Sequence, residues 1–480
     1  MPTKTGVARI SARAIAGLVG FGVAVVTIAG AAVLPLPRRA VTPPATIVSP
    51  VAADQQRVCA GPLLALAADS TAATAASAFG RATIMSGTSL GHAALQTDAL
   101  NAVDDTEAGR FGAPLTVTVP VPQGTTQPPQ LAASQIQQAA QQDFAGLAAS
   151  ACDEPSSDSW LVGGATSLGQ TSLVLLTNPS PVPATVNLTI YGESGIVDAP
   201  GATGIVVAAG TQHVVPLAGL APTVAAPVVH VQTVGGRVLA SMQQSSEIGL
   251  EPGGAELEGP TIAPTTHQVI AGVTVRSLAT LQASQSGEAY GPDLPALRIF
   301  VPGKKVATVR IGAVGETGTI AGNSISATVQ PGVATEVPLD HLADGNFTVT
   351  IDSTAPVVAA ARTSIVGTAA KDFAWFVASQ PLGDSFLAAI AAGPEATLNL
   401  ANDGAKDVTA TVTDPAGRSR TIAVPAEGGV GVAASVAGMY RVHAAQGVTA
   451  SVSYTGDGLM SSFAINPPGP LATPITVYPK

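Results

Sequence analysis

The stretch LVLLTNPSPVPATVNLTIYGESG, running from Leu173 to Gly195, decides the fold class. Four apolar residues lead into Thr177-Asn178 and a turn punctuated by Pro179, Pro181 and Pro183. Val186, Leu188 and Ile190 then alternate with Thr185, Asn187 and Thr189 before a glycine turn. A period of two marks a half-buried strand, and prolines at this density exclude a helix through the turn.

Working outward, the same order returns twice. ALRIFVPGKKVATVRIGAVGETG (296–318) follows HQVIAGVTV (267–275), and SFLAAIAAGPEATLNLANDGAKDVTATVTDPAG spans 385–417. Val309 and Ile311, and Val408, Ala410 and Val412, alternate in the same way. Each copy continues through VVHVQTVGGRVLASM (228–242), NFTVTIDSTAPVVAAARTS (346–364) or MYRVHAAQGVTASVSY (439–454), read as hairpins. Each then closes on an apolar strand running into proline: GAELEGP, DFAWFVASQP or LMSSFAINPP. Turn signals every 8 to 12 residues predict antiparallel sandwiches of Ig-like architecture. The expected fold is therefore mainly β, with sandwich repeats over 156–262, 263–382 and 383–470 and a tail over 471–480.

Composition agrees. Of 480 residues 46% are hydrophobic but only 4% aromatic, with 51 Gly and 38 Pro, so the apolar content is Ala and Val joined by turns. Only 11% are charged, which places solubility on Ser, Thr, Gln and Asn. Five of the 21 basic residues, Lys4, Arg9, Arg13, Arg38 and Arg39, precede residue 40, where no acid occurs; the rest of the chain carries 16 basic against 31 acidic side chains. A surface of that sign repels nucleic acid.

Ala14 to Leu36, AIAGLVGFGVAVVTIAGAAVLPL, holds no charge and is long enough as a helix to cross a bilayer. The expected order is a cytoplasmic tail (1–13), a signal-anchor (14–36) and a Pro-rich stalk (37–56), with the bulk outside the cytoplasm. Cleavage at the A-x-A-like Ala29-Gly30-Ala31 is the alternative, giving a secreted protein. The two cysteines, Cys59 and Cys152, are even in number and lie on the oxidising side, so one disulfide is expected. They bracket a region (57–155) read as mixed α/β, because Ile136, Ala139, Ala140, Phe144 and Leu147 fall on one helical face.

Candidate chemistry is sparse. Gly87-Thr88-Ser89-Leu90-Gly91 before His92 has the G-x-S-x-G form, but too little chain precedes it to build the sheet a nucleophile elbow needs. His92, His213, His230, His267, His341 and His443 show no zinc spacing. Asp104, Asp105 and Glu107, and Asp153, Glu154 and Asp158, cluster without the spacing of a calcium loop and read as solvated loop acids. Asn187-Leu188-Thr189 and Asn346-Phe347-Thr348 are formal sequons placed mid-strand. Trp160, Trp375, Phe376, Phe386 and Tyr440 are expected in sandwich interiors rather than on a glycan-stacking platform. No catalytic, cofactor or metal site follows from these residues.

The apolar segment, the stalk, VCAGPLL (58–64), SACDEP (150–155) with SWLVGG (159–164), and the opening stretch together resemble an uncharacterised family of actinobacterial membrane-anchored cell-envelope proteins. The resemblance carries no activity or cofactor. It leaves a noncatalytic structural or interaction role in the envelope as the expectation, with an envelope protein or a wall glycan as partner. The alternatives are a glycan-binding module and a wall-processing hydrolase with its site in 57–155, where Ser89 or an acid such as Asp104 would need a positioned base.

Overall fold

Val186, Leu188 and Ile190 are buried while Thr185, Asn187 and Thr189 are not, so the alternation quoted above is the inner face of a sheet. The structure, a computed structural model, describes residues 46–48, 54–66, 76–90, 95–123, 129–141, 144–249, 251–284, 293–316, 323–339, 341–467 and 475–477. Strands β1 (Thr46–Val48) and β35 (Ile475–Val477) pair antiparallel and belong to a unit of their own, 1–50 with 473–480. All other strands lie in a second unit, 51–472, which is mainly β.

In the N-terminal part of that second unit, β2 (Gln55–Cys59), β3 (Leu64–Leu66), β4 (Ala76–Ala78), β5 (Thr83–Thr88), β6 (Gln96–Ala99) and β7 (Asn101–Ala102) precede the one-turn helix α1 (Ala108–Phe111) and β8 (Leu115–Val119). Then come β9 (Leu131–Ala140) and β10 (Ala145–Ala151), an antiparallel hairpin. The expected helical face is thus corrected to two strands. Its i, i+3, i+4 spacing is incidental, because the operative period is two. Gln135 and Gln137 point to one side, where they bond the backbone of Gly61, Leu63 and Phe79; Ile136 points to the other, into an apolar cluster with Phe386 and Tyr454.

The first strand set is β11 (Asp158–Val162), β12 (Gln170–Asn178), β13 (Ala184–Gly192), β14 (Gly195–Ile196), β15 (Ile205–Val207), β16 (Thr211–Pro216), β17 (Val228–Gly235), β18 (Leu239–Ile248) and β19 (Glu251–Glu258). One sheet runs β11-β17-β13, with β14 and β15 beside β13; the other runs β19-β18-β12-β16. The second set is β20 (Thr265–Val275), α2 (Leu278–Ser284), β21 (Ala296–Phe300), β22 (Ala307–Gly315), β23 (Asn323–Val329), β24 (Thr335–Pro338), β25 (Gly345–Val366) and β26 (Lys371–Val377). The third is β27 (Ser385–Ile390), β28 (Thr397–Asn402), β29 (Val408–Thr413), β30 (Ser419–Val424), β31 (Gly428–Ala433), β32 (Gly438–Ala444), β33 (Thr449–Gly456) and β34 (Leu459–Ile465). Its sheets run β27-β32-β29-β30 and β31-β28-β33-β34, the order of the first set with each strand in the corresponding place. The second set keeps that order too: the first half of β25 pairs β20 and β22, and its second half pairs β21 and β26. In each set the two sheets enclose one apolar core.

The three segments read as hairpins are instead sheet crossings. β17 pairs β11 and β13, whereas β18 pairs β12 and β19; β32 and β33 divide in the same way, and in the second set the two strands are one continuous β25 of 22 residues. Turn chemistry such as Gly235-Gly236 sets a corner in the chain, not which strands pair across it. The aromatics also divide. Phe376, Phe386 and Tyr440 fill cores as expected, but Trp160 and Trp375 lie with Phe300 in a seam between the first and second sets.

Candidate functional site

The last strands of the three sets, β19, β26 and β34, converge with β10 on Asp372, whose side chain is fully buried. Its Oδ1 accepts the N–H of Ala255 at 3.0 Å and of Phe373 at 3.0 Å; its Oδ2 accepts Leu147 at 2.8 Å and Met460 at 3.1 Å. One carboxyl therefore takes a backbone donor from each of four strands. Burial raises it well above the usual carboxylate range, against the pull of those four bonds. Beside it the Ser461 hydroxyl donates to Glu256 Oε1 at 2.7 Å and accepts the Ala149 N–H at 2.7 Å, so the joint continues across β34, β19 and β10. Gly146 and Gly254, both at positive φ, leave room for it: a Cβ on either would collide with Asp372.

In the seam, Arg298 donates to Glu336 (2.8 and 3.1 Å) and to the carbonyls of Gly164, Pro227 and Ala225 on the first set, and its guanidinium lies 4.6 Å over the Trp375 ring. The Trp375 indole N–H donates to Gln244 at 2.8 Å. Arg298 and Arg362, against burial, hold Glu336 below its ordinary range. Glu258, packed under Gly163 with neither oxygen hydrogen-bonded, is pushed by burial up to about 8 despite Arg298.

Between the second and third sets the contact is different. His267 bridges Asp352 at 2.8 Å and Asp403 at 3.0 Å; burial works against its charge, but the two carboxylates raise it. Gly429 and Gly431 of β31 come so close to the second set that a Cβ on Gly429 would collide with Thr348, and one on Gly431 would crowd Glu316 and Thr397. Glu316 Oε1 and Oε2, Thr348 Oγ1 and Asn399 Oδ1 have no hydrogen-bond partner there. Burial pushes Glu316 up to about 7, with Asn346 and Arg276 pulling the other way. Next to it open two hollows of about 490 and 460 Å³, both lined by Arg276, Asn346, Thr397 and Ala433.

The sequence candidates scatter. Cys59 and Cys152 form a disulfide between the end of β2 and the residue after β10. Ser89 is tied into a turn, its hydroxyl accepting the Gln130 N–H at 2.9 Å; Gly91 and His92 lie outside the described residues. Asp104 is no solvated loop acid: its Oδ2 meets His213 Nδ1 at 2.6 Å and accepts the Val214 N–H at 2.8 Å, in a cleft of about 700 Å³ lined mostly by apolar groups such as Leu66, Ile205 and Leu220. The other acids are likewise engaged: Asp105 bonds the N–H of Ala78 and Glu107, Glu154 pairs with Arg57, Asp158 with His230, and Asp153 with Asn466. Among the described residues no group of three His, Cys, Asp or Glu is placed to hold a metal. Both sequon asparagines have structural roles, Asn187 accepting the Gly204 N–H and Asn346 accepting from Arg276. Sequence reasoning missed Asp372, Arg298 and Glu316. Their only signal was a charge inside an otherwise apolar strand, or at the end of one.

A model described as a family of unknown function, DUF5719, matches residues 104–435. Among curated proteins no sequence matches. A solved structure, described as the crystal structure of Thermotoga maritima 1070, is 15% identical over 24% of this chain and 95% of its own, with a TM-score of 0.20, too low to bear on fold or function.

Proposed function

The chain belongs to the DUF5719 family, whose function is unknown, and we propose that it is a noncatalytic scaffold or interaction protein of the cell envelope, built from three tandem Ig-like sandwiches locked into one rigid body. The observation that carries the reading is the meeting of four strands on Asp372. Beads on a flexible string would have no use for a buried carboxyl that ties all three to the N-terminal hairpin. Envelope placement is supported by the charge-free segment from Ala14 to Leu36 and by the Cys59–Cys152 disulfide, which persists in oxidising compartments. Ala14 to Leu36 lies outside the described residues; among those described, no helix is long and apolar enough to cross a membrane. A glycan-stacking platform loses support, since Trp160, Trp375, Phe376, Phe386 and Tyr440 are all buried.

The second reading is a hydrolase, favoured by one observation: Asp104 orients His213 at the wall of an apolar cleft, the arrangement of a base and its orienting acid. Among the described residues lining that cleft none is a serine, threonine or cysteine, and with those residues the dyad would activate water. The test is to incubate the full chain, wild type and His213→Ala, with isolated envelope. Saturable retention without turnover, equal in both proteins, supports the scaffold. Turnover of wall material abolished by the substitution replaces it with the hydrolase.

A further inference from the structure

Arg276 lies in both hollows between the second and third sets and is held rigidly. Its Nη1 donates to the carbonyls of Val275 (2.8 Å) and Gly345 (2.9 Å), and its Nη2 to Asn346 Oδ1 (2.8 Å). Three of five N–H donors are thereby used on uncharged acceptors, leaving Nε–H and one Nη2–H, and no carboxylate pairs with Arg276 within 4.0 Å among the described residues. Facing it in the first hollow is half-buried Glu316, both of whose oxygens are shut off from solvent and, among the described residues, meet no donor at good hydrogen-bond geometry, although Asn346 lies close enough to favour its charged form. Arg276 and Glu316 attract one another across the hollow, and Asp344 and Glu395 also favour the cation, but among the described residues no ion pair closes on either group, which leaves both with unused hydrogen-bonding capacity.

Two further features set the hollow apart. Ser277 and Glu395 hold left-handed backbone at φ 56° and 37°, a strain that non-glycine residues keep only where the surroundings impose it; Ser277 directly follows Arg276, and Glu395 lines the second hollow. Asp344 accepts the N–H groups of Ser277 and Leu278, and Glu395 Oε2 accepts from Thr455, so these two acids are engaged and Glu316 is the one whose oxygens stay open among the described residues. The adjoining second hollow continues the wall in hydroxyls, Thr274, Ser435 and Ser453, and no aromatic is among its described residues.

We propose that this hollow is a binding site for a small zwitterion of the amino-acid type, its carboxylate on the free N–H groups of Arg276 and its primary ammonium against Glu316. An ammonium offers three donors and a carboxylate takes parallel N–H bonds from guanidinium, so the ligand supplies both missing partners at once. A calcium ion fits less well, since it requires six to eight oxygens and would sit beside a guanidinium. Because Glu316 holds its proton to about pH 7 in the empty protein, the ammonium drives it off on binding, and uptake at pH 7 releases protons to the buffer.

The experiment is calorimetric titration of the full chain at pH 7 with glycine, L-lysine, L-lysine methyl ester, Nα-acetyl-glycine and calcium chloride, each in phosphate and in Tris. The free amino acids are expected to bind with a heat that differs between the buffers. Blocking either the carboxylate or the amine is expected to weaken binding at least tenfold. Glu316→Gln, which removes a buried charge and leaves the fold intact, is expected to abolish the buffer-dependent heat and most of the affinity. No heat from any amino acid at 10 mM, on the order of the weakest useful affinity, overturns the proposal, as does equal binding of the acetylated form or tighter binding of calcium.

Discussion

Between the first and second strand sets Trp160, Phe300 and Trp375 share one apolar cluster, and over the Trp375 ring lies an arginine whose donors reach a carboxylate and three carbonyls. Between the second and third sets, glycines of β31 press against Glu316 and Thr348, and the closest charge pairing is a half-exposed histidine between two aspartates. The first seam is filled by aromatics and fixed by a buried cation whose five donors are all used, although Glu258 beside it stays unbonded; the second contact is polar and open to a cleft, and its cation keeps donors free. Identical strand order thus does not make equivalent interfaces. What fixes an interface is which side chains stand on the outer faces of the sheets.

The comparison is broken most severely at Arg298. Arg298→Leu strips the cation from Glu336 and Glu258 in a buried seam, and chemical denaturation is expected to show a loss of about 3–5 kcal/mol. Asp372→Asn puts an amide NH₂ where two backbone N–H groups need an acceptor; the expected loss is about 2–4 kcal/mol, and it falls on all three sets because the joint serves all three.

Next in size is pH. Glu258 at about 8, Glu316 at about 7 and His267 with its raised value all keep protons in the folded state that the unfolded chain has lost or holds less tightly. The carboxyl contributions are fully present below the unfolded value near 4.5 and are lost as pH rises through 7 and 8, and that of His267 fades over the upper part of this range. Stability is therefore expected to fall between pH 5 and 8, by up to about 1.4 kcal/mol per pH unit for each of the two carboxyls and by less for the solvent-screened His267. A melting temperature that rises over this range would contradict the assignment. Smallest, and of opposite sign, Glu316→Gln without ligand is expected to change stability by less than about 1 kcal/mol in the stabilising direction, measured at pH 8.

Much of the strand content was legible, because the alternation at Val186, Leu188 and Ile190, at Val309 and Ile311, and at Val408, Ala410 and Val412 reports one buried face directly. The crossings at Gly235, at β25 and at Ala444 were not, because a strand's partner depends on residues far along the chain. The N-terminal region misled for another reason. Composition assigns glutamine to the solubilising surface, yet Gln135, Gln137, Gln212 and Gln243 are buried and strap Ala60–Leu64 and Phe79 through hydrogen bonds between their side-chain amides and the backbone. A buried glutamine looks in sequence like an exposed one.

A finer signature was present but unread. Asn178 and Asn402, each six residues before the next strand, donate to the carbonyls of Val182, Val207 and Ala208 and of Lys406, Val424 and Pro425; buried Val301 holds the place in the second set. The candidate site was least legible of all. Arg276, Glu316 and Arg298 gain meaning only when separate strand sets meet.

The central claim, that one buried joint makes three sandwiches a single body, is most directly tested by native-state hydrogen exchange of the full chain and of Asp372→Asn. Amides of β10, β19, β26 and β34 are expected to exchange in one cooperative opening, and the substitution to lower protection in all three sets together. Independent exchange of the third set, or a loss confined to β26, would contradict it.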